Sequence, residues 1–254
     1  MLYLYQSNRL EYLAEMLCAV WGAQPLDDPF ATEEVVVQSQ GMRRFLSRFA
    51  ARRLGVSANV RFSLPAGLAW RLMRQTLDNV PEQSPFAPEV MRWRLLALFD
   101  SPQFAADDFA AVRAKLEPYL ANGALAAYQL AGQLADVFDH YQVYRPQWIE
   151  AWRKGHTLPH LHEDQLWQAR LWQSLDDGTQ THRVVLWQQL LQQLGNAPLP
   201  QRMTVFGIAT LAPMYLQLLL HLAQHCDIHI YALNPSMLYW GDVVEAQTIL
   251  QQAG

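Results

Sequence analysis

The hydrophobic positions near the start of the chain follow two periodicities in turn. Short apolar runs predict strands at residues 2–5 and 35–37, and each is followed by apolar residues three or four apart, as on one face of a helix. The second run is β-branched throughout and suits a buried strand, and residues 60–62 lead through Pro65 into a third helix. Ser7 or Asn8 is the natural N-cap of the first helix, the second helix is predicted at 42–54, and the third contains Trp70.

The middle of the chain is helical in pattern, and strands return near its end. The predicted helices are 91–99, 109–120, 125–141, 165–175 and 184–194. Strands are predicted at 203–206 and 228–233, on either side of a leucine-rich helix at 213–225. Because strands and helices alternate, we predict a parallel sheet covered by helices, in an α/β domain that is split in sequence around an all-helical insertion. The predicted boundaries are 1–84 plus 196–254 for the α/β domain and 85–195 for the insertion.

Composition is that of a globular protein. Half of the residues are hydrophobic, and no apolar run reaches the roughly 20 residues that span a bilayer. The start of the chain lacks the features of a signal peptide, so we expect a cytoplasmic protein without membrane association, in which Cys18 and Cys226 are buried thiols. The last residues, 250–254, break off within a polar helical pattern, so we expect a piece of a longer chain.

The charge pattern leaves two explanations open. The net charge of −4 argues mildly against a free-standing DNA-binding protein, which usually carries a basic surplus. However, Lys115 and Lys154 are the only lysines among 19 basic residues, and the rest are arginines. Arginine makes planar, bidentate contacts with phosphate, but a high-GC genome also produces this bias.

Nucleotide-binding motifs are missing where an α/β fold of this kind would carry them. The turn at residues 6–9 has no glycine or lysine, although a phosphate cradle needs both. The strand at 203–206 leads into 207–210 without the carboxylate that would hold Mg²⁺, and residues 178–226 contain no Asp or Glu. We therefore expect no ATP hydrolysis. An unrelated α/β fold that never had such a site would show the same absences.

Other chemistry is weakly indicated. Four potential metal ligands lie close together: His156, His160, His162 and Glu163. Their spacing straddles Pro159 and matches no helix-based pair, so we expect a solvated loop and no metal. Asp136 and Asp139 lie one helical turn apart and suit either paired acids or the polar face of a helix.

Two segments, 35–45 and 60–66, resemble the motifs with which helicases built on two RecA-like cores contact single-stranded DNA. One family matches along the whole chain: RecC, the gamma subunit of exodeoxyribonuclease V (the RecBCD complex). The matching residues are Ser7–Leu10, Leu26–Phe30, Gln38–Ser39 with Gly41–Met42, Phe62 with Leu64–Ala66 and Trp70, Ala135–Asp136 with Phe138–Asp139, Tyr144–Pro146 with Trp148, and Asn234–Pro235 with Tyr239–Asp242.

The resemblance implies a degenerate RecA-like (P-loop helicase-type) domain, 1A-like, with a 1B-like helical insertion. It implies a non-catalytic subunit of an ATP-dependent exonuclease and helicase that acts in double-strand break repair by homologous recombination. Such a subunit holds single-stranded and forked DNA and scans the 3′-ended strand for the Chi sequence. Its partners are the RecB and RecD subunits, which use ATP and Mg²⁺, so no cofactor is expected in this chain.

The family's Chi-sensing positions carry over where the local motif matches. They are Gln38, Gln40, Arg44, Leu64, Trp70, Asp136, Val137, Asp139, Arg145 and Arg183. Gln and Arg can read base edges, and Trp can stack on an unpaired base. Gln38 is favoured because open α/β sheets bind ligands at the carboxyl ends of their strands. This chain has Gln40 and Arg44 where the resemblance implies threonine and glutamine, so we expect either a different octamer or altered Chi reading.

Structural roles remain open for several of these residues. Trp70 also fits a core position and Leu64 a helix-entry staple, while Asp139 and Arg145 could pair with each other or cap helices. For the whole chain, the first alternative is a scaffold that binds only proteins, through its helical domain. A nucleotide hydrolase with an unusual loop is the second.

Overall fold

A computed structural model describes residues 1–156, 158, 166–176, 178 and 182–234. The chain forms two compact units. The first consists of Met1–Ala69, Pro198–Leu211 and the residues from Tyr215 onward, and the second of Trp70–Ala197 with Ala212–Met214. Among the described residues, no helix combines the length and the apolar character that crossing a membrane requires.

The first unit is built on a five-stranded sheet in the order β1-β5-β4-β2-β3. Its strands are β1 (Leu2–Ser7), β2 (Glu33–Val37), β3 (Val60–Ser63), β4 (Arg202–Phe206) and β5 (Asp227–Leu233). Every pairing is parallel. All carboxyl ends therefore meet at one edge of the sheet, where ligands of open α/β folds bind. The predicted α/β class with a parallel sheet is confirmed.

Helices cover both faces of this sheet. They are α1 (Leu10–Ala23), α2 (Gln40–Leu54), α3 (Pro65–Thr76) and α11 (Pro213–Leu222). On one face, Leu13 and Leu17 of α1 and Leu46 of α2 pack with Val35 and Val37. On the other, Val36 and Val205 face Leu68, Leu218 and Leu219 of α3 and α11. Because alternate β2 side chains enter opposite layers, the strand has to be apolar on both faces.

A buried ion pair joins β2 to β4. Arg202 is 6% exposed, and its Nε donates a hydrogen bond to Glu33 Oε2 at 3.0 Å. A second guanidinium nitrogen contacts the other oxygen of Glu33, and the third donates to the Gln24 carbonyl at 2.6 Å. The amino end of β4 is therefore charged but satisfied, which burial requires.

The second unit is helical. Its elements are α4 (Pro88–Phe99), α5 (Pro102–Ala105), α6 (Ala110–Leu120), α7 (Ala124–Tyr144), α8 (Pro146–Arg153), α9 (Leu166–Leu175) and α10 (Arg183–Gln193), with 3₁₀ turns at Asp107–Phe109 and Leu194–Asn196. Its core is aromatic: Trp172 is fully buried, with its ring centroid 5.3 Å from that of Phe86 and 5.4 Å from that of Phe138. Such pairs add roughly 0.5–1.5 kcal/mol beyond the buried area.

Three local predictions differ from the structure. The N-cap of α1 is Arg9, while Ser7 Oγ accepts a hydrogen bond from the Arg9 N–H at 3.1 Å. α5 and α8 were not predicted, because each is at most eight residues long and begins at a proline, which suits the first turn of a helix but also marks a break. The helix predicted at 109–120 begins at Ala110, because Phe109 ends a 3₁₀ turn, whereas Gln165 of the helix predicted at 165–175 lies outside the described residues.

Candidate nucleic-acid interface

The turn after β1 is too short to surround a phosphate. β1 ends at Ser7 and α1 begins at Leu10, so Asn8 and Arg9 are the whole connection. A P-loop is a glycine-rich loop within an eight-residue motif that ends in lysine and Ser or Thr, and two residues without glycine or lysine cannot form it. The turn is exposed, and hydrogen bonds fix its two ends: the Ser7 carbonyl accepts the Asn234 N–H at 2.9 Å, and the Arg9 guanidinium donates to the Tyr12 hydroxyl at 2.9 Å.

The turn after β4 is filled by apolar side chains. Gly207 has φ +64°, and a Cβ there would lie 2.9 Å from Met42 Cε and 3.8 Å from Leu10 Cδ1. The first turns of α1 and α2 thus press directly on the backbone that follows β4. In the sheet, β5 lies between β1 and β4, so the turn after β1 and the turn after β4 are about 10 Å apart. A bound nucleotide would have to place its phosphates at the first turn and its metal ion at the second.

The carboxyl edge of the sheet is open at β2 and β3, which follow β4 in the strand order. Val36 of β2 pairs with Ser63 of β3, so the residues after these strands leave the sheet side by side, about 5 Å apart. These residues include Gln38 and Leu64, and both are exposed, Leu64 by 43%. The structure therefore brings these two predicted residues to one edge.

Helix α2 begins directly beside this opening. Ser39 is its N-cap, and Ser39 Oγ accepts the Met42 N–H at 3.2 Å. Gln40 is the first residue of the helix and Arg44 lies one turn later, and both are exposed. Four predicted residues, Gln38, Gln40, Arg44 and Leu64, are therefore grouped within the first unit.

Trp70 belongs to the second unit and is partly buried. Its Nε1 donates a hydrogen bond to the Glu82 carbonyl at 3.0 Å. The indole is therefore held in one orientation by its own unit. Partial burial leaves part of the side chain accessible.

The remaining predicted residues lie on the helices of the second unit. Asp136, Val137 and Asp139 follow one another on α7, with Asp136 exposed and the other two partly buried. Arg183, at the start of α10, places its guanidinium 3.1 Å from Asp139 Oδ1. This is a charge contact without hydrogen-bond alignment, because that oxygen has no bond donor aimed at it among the described residues.

Arg145 lies at the junction of α7 and α8. It is the residue before α8, it is exposed, and its guanidinium donates to the Tyr144 carbonyl at 3.1 Å. The side chain also lies over the Trp148 ring, 5.9 Å from the centroid. The pairing of Asp139 with Arg145 that the sequence allowed is therefore replaced by pairing with Arg183. Those two residues are 44 positions apart, so spacing could not have revealed the pair.

A buried histidine lies next to Arg183. The His182 Nε2 is 3.5 Å from Asp176 Oδ2, and the Arg153 Nε is 3.9 Å from the same oxygen. Burial lowers the pKa of His182 to about 4, which outweighs the opposing attraction of Asp176. The imidazole is therefore neutral at pH 7, and its ring packs at the edges of Phe86 and Trp172.

Metal ligands do not come together in the part of the chain that the structure describes, where no three His, Cys, Asp or Glu side chains form a cluster. Of the four histidine-loop candidates, only His156 is described; His160, His162 and Glu163 lie outside the described residues, as does the motif at 239–242. Cys18 and Cys226 are buried free thiols, and burial raises the pKa of both.

Comparison with known proteins agrees with the resemblance seen in the sequence. Residues 2–254 match the family model "RecC, N-terminal domain". The chain is 37% identical over 255 residues to the RecBCD enzyme subunit RecC of Escherichia coli K12, covering 96% of this chain and 22% of that protein. The corresponding subunit of Haemophilus influenzae is 35% identical over 272 residues, covering 96% of this chain and 24% of that protein.

A more distant relative gives the same result. RecC of Mycolicibacterium smegmatis is 34% identical over 250 residues, which cover 94% of this chain. The chain spans less than a quarter of the length of these curated relatives. On these matches, the chain belongs to the RecC family and corresponds to its N-terminal domain.

Proposed function

We propose that this chain is a helicase-like, non-catalytic part of a RecBCD-type complex, and that it holds single-stranded DNA and scans the 3′-ended strand for Chi. The observation that carries the proposal is the asymmetry of the sheet's carboxyl edge. We call the half at β1 and β4 closed because it has no phosphate cradle: two residues connect β1 to α1, and Met42 and Leu10 pack against Gly207. The half at β2 and β3 is open, because Gln38 and Leu64 are exposed where these strands end. The open half therefore offers exposed side chains to a ligand other than a nucleotide.

The closed half supports the proposal that this chain does not hydrolyse ATP. ATP hydrolysis needs backbone N–H groups around the phosphates and a carboxylate for Mg²⁺. A two-residue turn cannot supply the first, and the turn after β4 contains no carboxylate and packs against Met42 and Leu10. On this reading the sheet is a RecA-like domain that has lost its nucleotide site.

The open half suits an unpaired strand. Gln38 and Gln40 carry amides that can donate to and accept from a base edge, and Arg44 can hold a phosphate or a guanine. Leu64 presents an exposed apolar side chain at the same edge, against which a base can pack. Single strands bind where charge and flat apolar contact alternate in this way.

Partners and compartment follow from the family. The relatives are named as subunits of the RecBCD enzyme. We therefore propose that the complete protein acts in the cytoplasm with RecB and RecD, which supply nuclease and helicase activity and use ATP and Mg²⁺.

The test is binding of a labelled oligonucleotide by fluorescence anisotropy at several salt concentrations. Affinity for a phosphate-gripping surface falls steeply with salt, by about 0.7 log units per log unit for each phosphate held. We expect Gln38→Ala to weaken binding of Chi-containing strands, while Gln103→Ala on α5 of the helical unit leaves binding unchanged. Salt-independent binding or equal affinities for all three proteins would contradict the proposal, as would ATP turnover that survives further purification.

An exposed aromatic patch favours the second candidate, a protein-binding scaffold. Trp93 is 61% exposed and Leu125 is 70% exposed, and the Trp93 ring lies 5.7 Å from that of Tyr128. Exposed tryptophans of this kind are enriched at protein interfaces. The scaffold function would replace DNA binding if two results were found together: Trp93→Ala weakens binding to the partner subunits, and neither the wild-type chain nor the variant binds DNA.

A further inference from the structure

Helix α2 carries a row of arginines along its exposed face. Its exposed arginines are Arg43, Arg44, Arg48, Arg52 and Arg53. The helix has no acidic residue, although the chain as a whole has a net charge of −4. Positive charge is therefore concentrated here rather than spread over the surface.

Three of these arginines form a regular ridge. Arg44, Arg48 and Arg52 are four residues apart, and they lie opposite Leu46 and Ala50, which face the core. Each step of four residues advances about 6 Å, so the ridge runs about 12 Å along the helix. It continues the line of Gln40, the first residue of the helix. The ridge thus starts at the open edge of the sheet and leads away from it.

Among the described residues, neither Arg44 nor Arg48 nor Arg52 has a carboxylate partner. Arg52 lies in the last turn of the helix, where positive charge is favourable to the macrodipole, but Arg44 and Arg48 lie in its interior and have no such role. An exposed row of arginines without a carboxylate partner points to an external anion.

We propose that Arg44, Arg48 and Arg52 form a phosphate track, on which the backbone of a single strand continues from the open edge along α2. The inference rests on the proposed function and extends it to residues that the family resemblance did not mark. Stacked nucleotides advance about 3.4 Å each, so a 12 Å ridge follows three to four nucleotides. Because arginine contacts to phosphate carry no sequence information, the track holds the strand while Gln38 and its neighbours read it.

The test compares the double variant Arg48→Gln/Arg52→Gln with the control Arg53→Gln. Arg53 is exposed on the same helix but lies off the ridge, on the side of Cys18. The probes are a single-stranded oligonucleotide and an abasic strand of the same length. We expect the double variant to bind both probes about tenfold more weakly at low salt, with a salt slope smaller by about 1.4. The control should match wild type.

The possible outcomes distinguish a failure of the phosphate track from a failure of the proposed function. If the double variant binds like the control while Gln38→Ala still weakens binding, the track is wrong and the strand-holding function stands. If the wild-type chain binds neither probe, both fail. If the double variant keeps strand binding but loses affinity for RecB, the ridge is a protein surface and the inference is overturned. Circular dichroism shows whether α2 is intact in each variant.

Discussion

His182 provides a quantitative test of how the helical unit is packed. The group has a folded-state pKa of about 4 against an ordinary value of 6.5, because its ring is buried. Protonation is therefore easier in the unfolded chain. The neutral histidine is compatible with folding above pH 6.5, and stability is lost as the pH falls from 6.5 through 4. At about 1.4 kcal/mol per pKa unit, the loss attributable to this group is about 3 kcal/mol.

The perturbation is His182→Gln, which keeps a polar side chain but cannot gain a proton in this range. Urea unfolding followed by tryptophan fluorescence suits the measurement, since seven of the nine tryptophans lie in the helical unit. Between pH 7 and pH 4, wild type should lose about 3 kcal/mol more unfolding free energy than the variant. His225→Gln, which replaces an exposed histidine of the other unit, should follow wild type. Parallel curves for wild type and His182→Gln would refute the reasoning.

Three further changes test the packing, each measured as the free energy of unfolding in urea. Gly207→Ala and Gly55→Ala should each cost about 1–2 kcal/mol, because both residues have positive φ and the Met42 methyl that a Cβ at position 207 would meet ends a flexible side chain that can move aside; no cost at either position would contradict the left-handed backbone. Arg202→Met should cost about 3–5 kcal/mol by stranding a buried carboxylate, and adding Glu33→Met should recover much of it; no recovery would refute the pairing. Trp172→Ala should cost about 3–5 kcal/mol, and a cost under 1 kcal/mol would show that the site is not packed as described.

The strands could be predicted from the sequence because their patterns are local. The run at 35–37 is apolar on both faces, which only an interior strand of a covered sheet requires, and β2 indeed lies between β4 and β3. Their spatial order could not be predicted, because β1 pairs with β5 across more than 220 residues. No periodicity records that pairing.

The candidate interface was only partly predictable, for the same reason. Gln38 was favoured because it follows a strand, and that position depends on local pattern alone. The contact between Asp139 and Arg183, and the filling of the Gly207 turn by Met42, depend on tertiary packing. Arg48 and Arg52 carried a local signal, their spacing of four from Arg44, but the solvent face of a helix is commonly charged, so spacing alone did not mark them.

We infer that the chain binds single-stranded DNA at the carboxyl edge of its sheet, the edge at which a helicase would bind ATP. Photocrosslinking in the complex assembled with RecB and RecD tests it most directly, using a photoreactive residue in place of Gln38 or Leu64 and, as a control, of Tyr119, which is exposed on the helical unit. We expect crosslinks to the 3′-ended strand from positions 38 and 64 and none from position 119. The absence of a DNA crosslink at both edge positions would contradict this inference. Labelling of the turn after β1 by a photoreactive ATP analogue would contradict it as well.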